Sequence, residues 1–303
     1  MKNSHLTRMI IAAVVIGLVQ FFVPRTNASE DFAGLSEEQS TFVDRMLTFM
    51  ADMDAQYFDR IAKLNDGLQL ETATASSESS DRDIKVTRGP VVEKAGRMIS
   101  VTRSRGGKFP TERYFSRRLS FDVHPETPLV GMLHAVIQMH YDKDGTSAIG
   151  GWLDIMPGAT GEEDLATLKQ TMDDVYEKYG IDSEPHRKLV CEGHADEDPL
   201  SMDNSRRRKP ACVGGSFFSN PTMMSVTENN FSFMTEAFER FVDAYMTIIE
   251  RRKDDPYTAE DLAAQDAMRL NWFEDRLFSD PFTTNVTPYE AWSLATLPPE
   301  VKF

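Results

Sequence analysis

A β-hairpin predicted in the middle of the chain constrains the fold more than any other sequence feature. Residues 132–141 alternate with a period of two, which places His134 and Gln138 on one face of a strand and apolar residues on the other. Residues 142–145 (DKDG) predict a turn, and residues 148–155 predict the antiparallel partner strand. Two neighbouring strands of an antiparallel sheet are therefore expected, with polar side chains on one face.

Amphipathic helices flank these strands. A capping-box pattern at Ser36 and Gln39 opens a helix whose apolar side chains recur at helical spacing as far as Leu64. Further helices are predicted over residues 161–179, 227–253 and 258–278.

Shorter strand-like segments complete the predicted sheet. β-type runs broken by glycine and proline lie between residues 84 and 123, and another run covers residues 213–218. The chain after residue 278 is expected to be irregular. Strands in the middle and helices toward the ends predict the α+β class, with a large antiparallel sheet covered by helices.

The first 28 residues are not expected to belong to this fold. Lys2, His5 and Arg8 form a short basic region, and a run of 15 residues follows from Met9 to Val23 that is apolar apart from Gln20. Small residues at positions 26–28 suit a signal-peptidase cut. A membrane span needs roughly 20 residues, so a cleaved signal peptide is favoured over an uncleaved anchor. Either way the protein is expected to be exported, to the periplasm or anchored outside the cytoplasm.

A polar, Ser/Thr-rich stretch at residues 71–83 predicts a linker or mobile loop. The chain is therefore expected to divide into a signal peptide or anchor (residues 1–28), a helical segment (29–70), the linker (71–83) and one main domain (84–303).

The charge of the chain excludes one class of partner. The formal net charge is −15, and loss of residues 1–28 removes three cations and no acid, giving −18. Nucleic-acid binding needs a basic footprint, so it is not expected. Residues 84–118 are the exception, with ten Lys/Arg and two acidic residues. They would either hold an acidic ligand or form a solvated face paired with acidic helices.

Cys191 and Cys212 are the two cysteines of the chain. Outside the cytoplasm such a pair can form a disulfide, which would stabilise the fold by roughly 3 kcal/mol in the chain-entropy model. Two unpaired core thiols are the alternative, and the sequence leaves both open.

Four stretches of the chain resemble, in order and spacing, segments of the oxygen-dependent coproporphyrinogen oxidases. They are the EKAG and ISV residues of 93–101, the segment from Ser120 to His134, the GGWLDIMP and EED residues of 150–164, and the VGGSFF and ERRK residues of 213–253. The resemblance covers roughly residues 84–303. It implies a flat antiparallel sheet sandwiched between helices, and a homodimer. It also implies oxidative decarboxylation of two propionates of coproporphyrinogen III by molecular oxygen, without an organic cofactor.

The resemblance also implies roles for individual residues. Asp154 matches an aspartate that faces the pyrrole nitrogens, where a carboxylate can accept N–H bonds and stabilise developing charge. His134 matches a histidine proposed as proton donor or metal contact, and a near-neutral pKa suits proton transfer. A turn cap at the aspartate and a strand hydrogen bond at the histidine are the structural alternatives. We predict His134 and Asp154 as catalytic, and Ser120, Gln138 and Arg97 as substrate-binding residues.

Some residues depart from the family pattern. Gln138 stands where the family has an arginine that pairs with a substrate carboxylate, so the charge and the bidentate fork are lost. Ser279 and Asp280 stand where the family has an aspartate and an arginine. Weakened or altered activity is therefore expected, with cationic replacements supplied from the segment Arg97 to Arg118. The alternatives are a non-catalytic exported protein that binds a tetrapyrrole or another anion, and an interaction protein that uses only the dimer surface.

A metal site is doubtful. Of a four-histidine site assigned in bacterial members, only His124 and His134 are retained. Lys169 stands at the third position, where a cation would repel a metal ion, and His194 is only a loose candidate for the fourth. His124 and His134 are therefore expected as ligands only if a metal is bound. No cofactor is predicted beyond oxygen as oxidant.

Overall fold

A computed structural model shows how these elements assemble, and it describes residues 34–76, 80–103, 112–192, 208–218, 222–278 and 289–303. The predicted signal peptide or anchor lies outside these residues. The strands in the described ranges are β1 (Glu71–Ser76), β2 (Ser80–Thr87), β3 (Val92–Thr102), β4 (Arg113–Pro125), β5 (Met132–Asp142), β6 (Ser147–Met156) and β7 (Gly215–Ser216). The helices are α1 (Glu37–Leu64), α2 (Glu162–Tyr179), α3 (Ser183–Glu192), α4 (Glu228–Arg252), α5 (Ala259–Phe278) and α6 (Tyr289–Thr296).

The strands form one antiparallel sheet in the order β1-β2-β3-β4-β5-β6-β7, so each strand pairs with its neighbour in sequence. The predicted hairpin is β5–β6. The backbone N–H of Asp142 donates to the carbonyl of Thr146 at 2.8 Å across its turn. Gly145 adopts a φ of 91° there, which glycine reaches without steric cost.

One face of the sheet is apolar and packs against α1 and α4. Phe121 of β4 stacks on Tyr57 of α1 with ring centroids 3.9 Å apart, and it also contacts Phe238 of α4 at 5.5 Å. Leu133 and Ile137 of β5 are fully buried in the same cluster. The helix predicted from Ser36 is confirmed with its capping box, and its apolar stripe forms core.

The opposite face carries most of the polar strand residues and is covered by α3, α5 and α6. Met268 and Trp272 of α5 pack on the sheet at β5 and β6, and Ala295 of α6 packs on β2 and β3. Val190 of α3 contacts Trp152 of β6. Helices therefore lie on both faces, and the predicted α+β class with a sandwiched antiparallel sheet is confirmed.

Two of the secondary-structure expectations were wrong. Residues 71–76 form the edge strand β1, and Ser80 begins β2, so residues 71–83 are not a linker but most of an antiparallel hairpin. Ala73 and Ala75 pack beneath α6, which explains an alternation too weak to recognise as a strand. The chain after residue 278 is not wholly irregular, because α6 lies within it.

Each helix that the structure describes is too short or too polar to cross a bilayer.

The two cysteines form a disulfide that joins the end of α3 to the segment before β7. Of the alternatives left open by the sequence, the oxidised pair is the one in the structure. The bond holds Cys212 close to the sheet at the level of Asp154.

An ion-pair cluster joins two of the family-like motifs. Asp164, in the first turn of α2, accepts hydrogen bonds from Arg251 and from Nε of Arg252 at 2.8 Å, both at the end of α4. Its side chain is 1% exposed, whereas the two arginines are 44% and 24% exposed. The EED and ERRK motifs thus serve to fasten α2 to α4.

Replacing Asp164 with alanine is expected to lower the free energy of unfolding by about 2–3 kcal/mol, because two charge-assisted hydrogen-bond donors lose a buried acceptor. Urea denaturation measures the change. Asp243→Ala is the matched control, since that aspartate pairs with Arg60 at 2.6 Å but is 65% exposed. A surface pair contributes about 0.5 kcal/mol or less. Equal losses in the two variants would contradict a structural role for the buried cluster.

Candidate active site

Three ionisable side chains lie side by side on the polar face of the sheet. His134 of β5 is the register partner of Asp122 on β4 and of Asp154 on β6. Directly paired residues project from the same face, with Cβ atoms about 5 Å apart. Asp122, His134 and Asp154, which we call the Asp-His-Asp row, are 1%, 4% and 0% exposed. The two residues predicted as catalytic are therefore neighbours, and Asp122 joins them.

Asp122 orients the imidazole of His134. The distance between His134 Nδ1 and Asp122 Oδ1 is 2.8 Å. A carboxylate oxygen accepts at this distance, so Nδ1 is assigned as the protonated nitrogen and Nε2 is the ring nitrogen left for the substrate. The ring lies 5.1 Å from the indole of Trp272 and 6.5 Å from that of Trp152. These contacts hold the imidazole in one orientation.

Asp154 has an altered acidity. Burial raises the pKa of its carboxyl group to about 7, and hydrogen bonds from backbone N–H groups oppose the shift. Oδ1 accepts from the N–H of Ile155 at 2.7 Å, and Oδ2 accepts from the N–H of Gly214 at 3.4 Å. A carboxyl group with such a pKa can take up or release a proton near neutral pH.

Gly214, just before β7, can bring its own backbone N–H to Asp154 because it has no side chain. A Cβ atom on Gly214 would lie 1.7 Å from the carbonyl oxygen of Leu153, so only glycine permits this approach. The VGG residues of the family-like motif therefore place backbone N–H donors at the carboxyl group of Asp154. They do not form a long strand, since β7 has only two residues.

Ser120 and Gln138 lie on the same face as the Asp-His-Asp row. Ser120 is two residues from Asp122 along β4, is 2% exposed, and donates to the carbonyl of Met98 at 3.4 Å. Gln138 is partly exposed, four residues from His134, and is the register partner of Arg118. The structure thus brings four of the five predicted catalytic and substrate-binding residues onto one surface.

A family model for coproporphyrinogen III oxidase matches residues 45–303, which include every residue of this surface. The chain belongs to the coproporphyrinogen III oxidase family. The resemblance inferred from four short segments is therefore confirmed, and with it an oxidoreductase-type domain of haem biosynthesis. The match to the oxidase family begins inside α1, so most of that helix belongs to the oxidase domain.

The fifth predicted residue, Arg97, lies on the opposite face of the oxidase sheet. It is 1% exposed, beneath α1, where Nε donates to Asp54 at 2.7 Å and Nη1 donates to Asp83 at 2.5 Å. Arg97 is the register partner of Phe121, which stacks on Tyr57 of α1, so its side chain projects from that face. Arg97 is therefore a buried ion-pair residue, and we exclude it from the site.

Other cations of the basic segment are also paired with acids. Lys85 shares Asp54 with Arg97, Arg88 binds Glu71, and Arg103 binds Asp81. Lys108 and Arg105 lie outside the described residues. For these pairs the structure favours a solvated, acid-paired face over a ligand site.

His124 has a structural partner in this member of the oxidase family. Its Nε2 lies 3.1 Å from the carbonyl oxygen of Thr296, and burial together with the nearby Lys94 lowers the pKa of the imidazole to about 3. Lys94 donates to the carbonyl of Leu297 at 2.5 Å. The two side chains therefore hold the end of α6 against the sheet.

The residues considered for metal binding do not converge. Among the described residues, no three His, Cys, Asp or Glu side chains are grouped as a metal site. Lys169 lies on α2 and binds Asp173 at 2.7 Å, and His194 is outside the described residues.

Two residues near the Asp-His-Asp row were missed in the sequence. Asp122 shares the alternation that places Ser120 and His124 on one face, so strand periodicity would have found it. Arg208 lies against Trp152 and Trp272 and binds Asp275 at 2.6 Å. It was missed because it precedes β7 in a stretch with no periodic signal.

Proposed function

We propose that this coproporphyrinogen III oxidase family member binds an acidic tetrapyrrole on the polar face of its sheet. There it oxidatively decarboxylates porphyrinogen propionates with molecular oxygen, with weakened or altered activity. The observation that carries the proposal is the Asp-His-Asp row. It combines a histidine oriented by Asp122 with a buried carboxyl group, Asp154, whose pKa is about 7.

The reaction needs proton transfer at two places. A propionate becomes a vinyl group when a hydride equivalent leaves the carbon next to the pyrrole and the bond to the carboxylate breaks, releasing CO2. Oxygen takes the two electrons with two protons and becomes H2O2. Asp154 is assigned to the pyrrole N–H, where a carboxylate accepts the bond and stabilises positive charge on the ring. His134 is assigned to supply the second proton from Nε2.

The acidic side chains of the substrate need cations or donors. Ser120 and Gln138 offer uncharged donors on the same face, and Arg118 stands directly beside Gln138 in the register. The Arg118 guanidinium lies 5.3 Å from the ring of Phe218. The family has its propionate-binding arginine at position 138, on β5. We assign this role to Arg118 on the neighbouring strand β4, as the one cation from the segment Arg97–Arg118 that replaces it.

A non-catalytic binding protein is the second candidate. Gln138 favours it, because glutamine holds a carboxylate with one or two neutral hydrogen bonds instead of a charged fork. Such a protein would bind coproporphyrin but leave coproporphyrinogen unchanged.

One experiment separates the two. Coproporphyrinogen III prepared without oxygen is mixed with the protein, air is admitted, and the products are separated by chromatography after correction for autoxidation. Vinyl products above the protein-free control support the enzyme. A red-shifted Soret band with coproporphyrin III but no vinyl product supports the binding protein. If neither vinyl products nor a Soret shift is observed, both functions are refuted, and an interaction protein is the alternative that is left.

Restoring arginine at position 138 is expected to tighten coproporphyrin III binding about 10-fold, because a bidentate charged donor returns to the site. In the Gln138→Arg variant, repulsion between the new arginine and Arg118 directly opposite is expected to lower the free energy of unfolding by about 0.5–1 kcal/mol. Gln138→Lys is the control, with the charge but without the fork, and a smaller gain is expected. Soret titration measures the affinity of both variants for coproporphyrin III. An affinity unchanged in both would mean that the ligand carboxylate does not reach this position.

We also propose that the protein acts outside the cytoplasm as a homodimer, without nucleic acid and without an organic cofactor or resident metal. Membrane contact is limited in this proposal to the N-terminal segment. Cell fractionation and sedimentation of the mature protein test these points.

A further inference from the structure

A buried guanidinium group lies between two tryptophans at the Asp-His-Asp row. Arg208 is 8% exposed, and its Cζ lies 5.4 Å from the ring centre of Trp152 and 5.7 Å from that of Trp272. Trp272 is the residue whose indole approaches His134 to 5.1 Å. Trp272 thus neighbours both the guanidinium and the ring of His134, and the two indoles favour a guanidinium through cation–π attraction.

The hydrogen bonds of this group are incomplete. Nε of Arg208 donates to Asp275 at 2.6 Å, and Asp275 is fully buried. Within the described residues, this is the one hydrogen bond of the guanidinium, and its Nη groups are not among the fully buried polar atoms without a partner, whereas Nε1 of Trp152 is. A guanidinium has five N–H donors and no acceptor, so the group that completes it must be an acceptor.

The geometry of the ion pair leaves one side of the guanidinium available. An arginine that serves only to neutralise an aspartate commonly uses its planar fork with two parallel bonds. Here Asp275 is bound through Nε, at the end of the guanidinium nearest the chain. A second carboxylate can therefore bind at the Nη groups without displacing Asp275.

We infer that Arg208 binds a carboxylate group of the ligand at the active site, with Trp152 and Trp272 as the walls of this subsite. The inference rests on the proposed function. In it, one propionate of the tetrapyrrole is held next to His134 by a cation that comes from the segment before β7. Arg208 then adds a second cation, besides Arg118, from a different element of the fold.

Coproporphyrin III is the probe, titrated by its Soret band into wild type, Arg208→Gln and Arg208→Lys. Arg208→Gln is expected to weaken binding at least about 10-fold, and Arg208→Lys to fall between the two, because lysine keeps the charge without the fork. The tetramethyl ester of coproporphyrin, which lacks carboxylates, is expected to bind wild type and Arg208→Gln equally.

Asp275→Asn is the matched variant. It keeps an oxygen for Nε of Arg208 and removes the opposing negative charge, so coproporphyrin binding is expected to stay equal or become tighter. Equal losses in Arg208→Gln and Asp275→Asn for both probes would show a purely structural ion pair and overturn the inference. An unchanged affinity of Arg208→Gln for coproporphyrin III would also overturn the inference, provided that near-UV circular dichroism shows the variant to be folded.

Failure of the proposed function gives a different result. If wild type binds no coproporphyrin, succinate is titrated instead and followed by tryptophan fluorescence, since two of the three tryptophans flank Arg208. A fluorescence change in wild type that is lost in Arg208→Gln supports a carboxylate subsite for another acid. No change with either probe overturns the subsite as well.

Discussion

Replacing Asp154 with asparagine is expected to lower the rate of propionate decarboxylation by about 100-fold or more, while coproporphyrin III still binds. General acid–base groups contribute typically 10²–10⁴-fold, and an amide cannot take up the pyrrole proton. The oxygen of asparagine can still accept from the N–H of Ile155 but the amide NH2 cannot accept from Gly214, so folding of the variant is checked by near-UV circular dichroism. Asp243→Asn, an exposed aspartate on α4, is the control and should keep the wild-type rate. An unchanged rate in Asp154→Asn would refute the assignment of the site.

The pH dependence gives an independent test of the same carboxyl group. With a pKa of about 7, Asp154 is ionised only above neutral pH, so the wild-type rate should rise as pH increases through 7. The unfolded carboxyl group has its ordinary pKa of 3.8, so the native state binds the extra proton between about pH 4 and 7. The contribution of Asp154 to the free energy of unfolding therefore falls as pH rises across this range. Urea denaturation at pH 5 and pH 8 should show a smaller difference in Asp154→Asn than in wild type.

Replacing Asp122 with asparagine is expected to produce the second largest loss of turnover, again about 100-fold. The amide oxygen can still accept from Nδ1 of His134, but the negative charge that stabilises the imidazolium is removed. The pH profile of the rate should therefore differ between Asp122→Asn and wild type.

A double-mutant comparison isolates this effect. Because Asp122 acts through His134, the pair Asp122→Asn with His134→Gln should be little worse than His134→Gln alone. His140→Gln is the control, since His140 is on the same strand and face but six residues away. Additive losses, or an unchanged pH profile in Asp122→Asn, would contradict the positioning role.

The pairing of His134 with Asp154 was accessible from the sequence. β5 alternates clearly, and the short turn at residues 142–145 fixes its register with β6, which places these two residues opposite each other. The long helices were equally predictable, because each has an apolar stripe of several turns.

The remaining site residues depend on long-range packing. Asp122 pairs with His134 across a longer connection between β4 and β5, whose length does not fix the register. Arg97 could not be assigned to a face, since β3 is buried on both sides and does not alternate cleanly. The environment of His124 depends on α6, a helix of eight residues. Arg208 reaches the row from outside any periodic element.

A crystal structure of the protein soaked with coproporphyrin III would locate the ligand directly. We expect a tetrapyrrole on the polar face of the sheet, with its pyrrole nitrogens within hydrogen-bond distance of Asp154. We also expect a propionate at the Nη groups of Arg208. A ligand bound on the α1 and α4 side, or one that leaves the Asp-His-Asp row without contact, would contradict the proposed site.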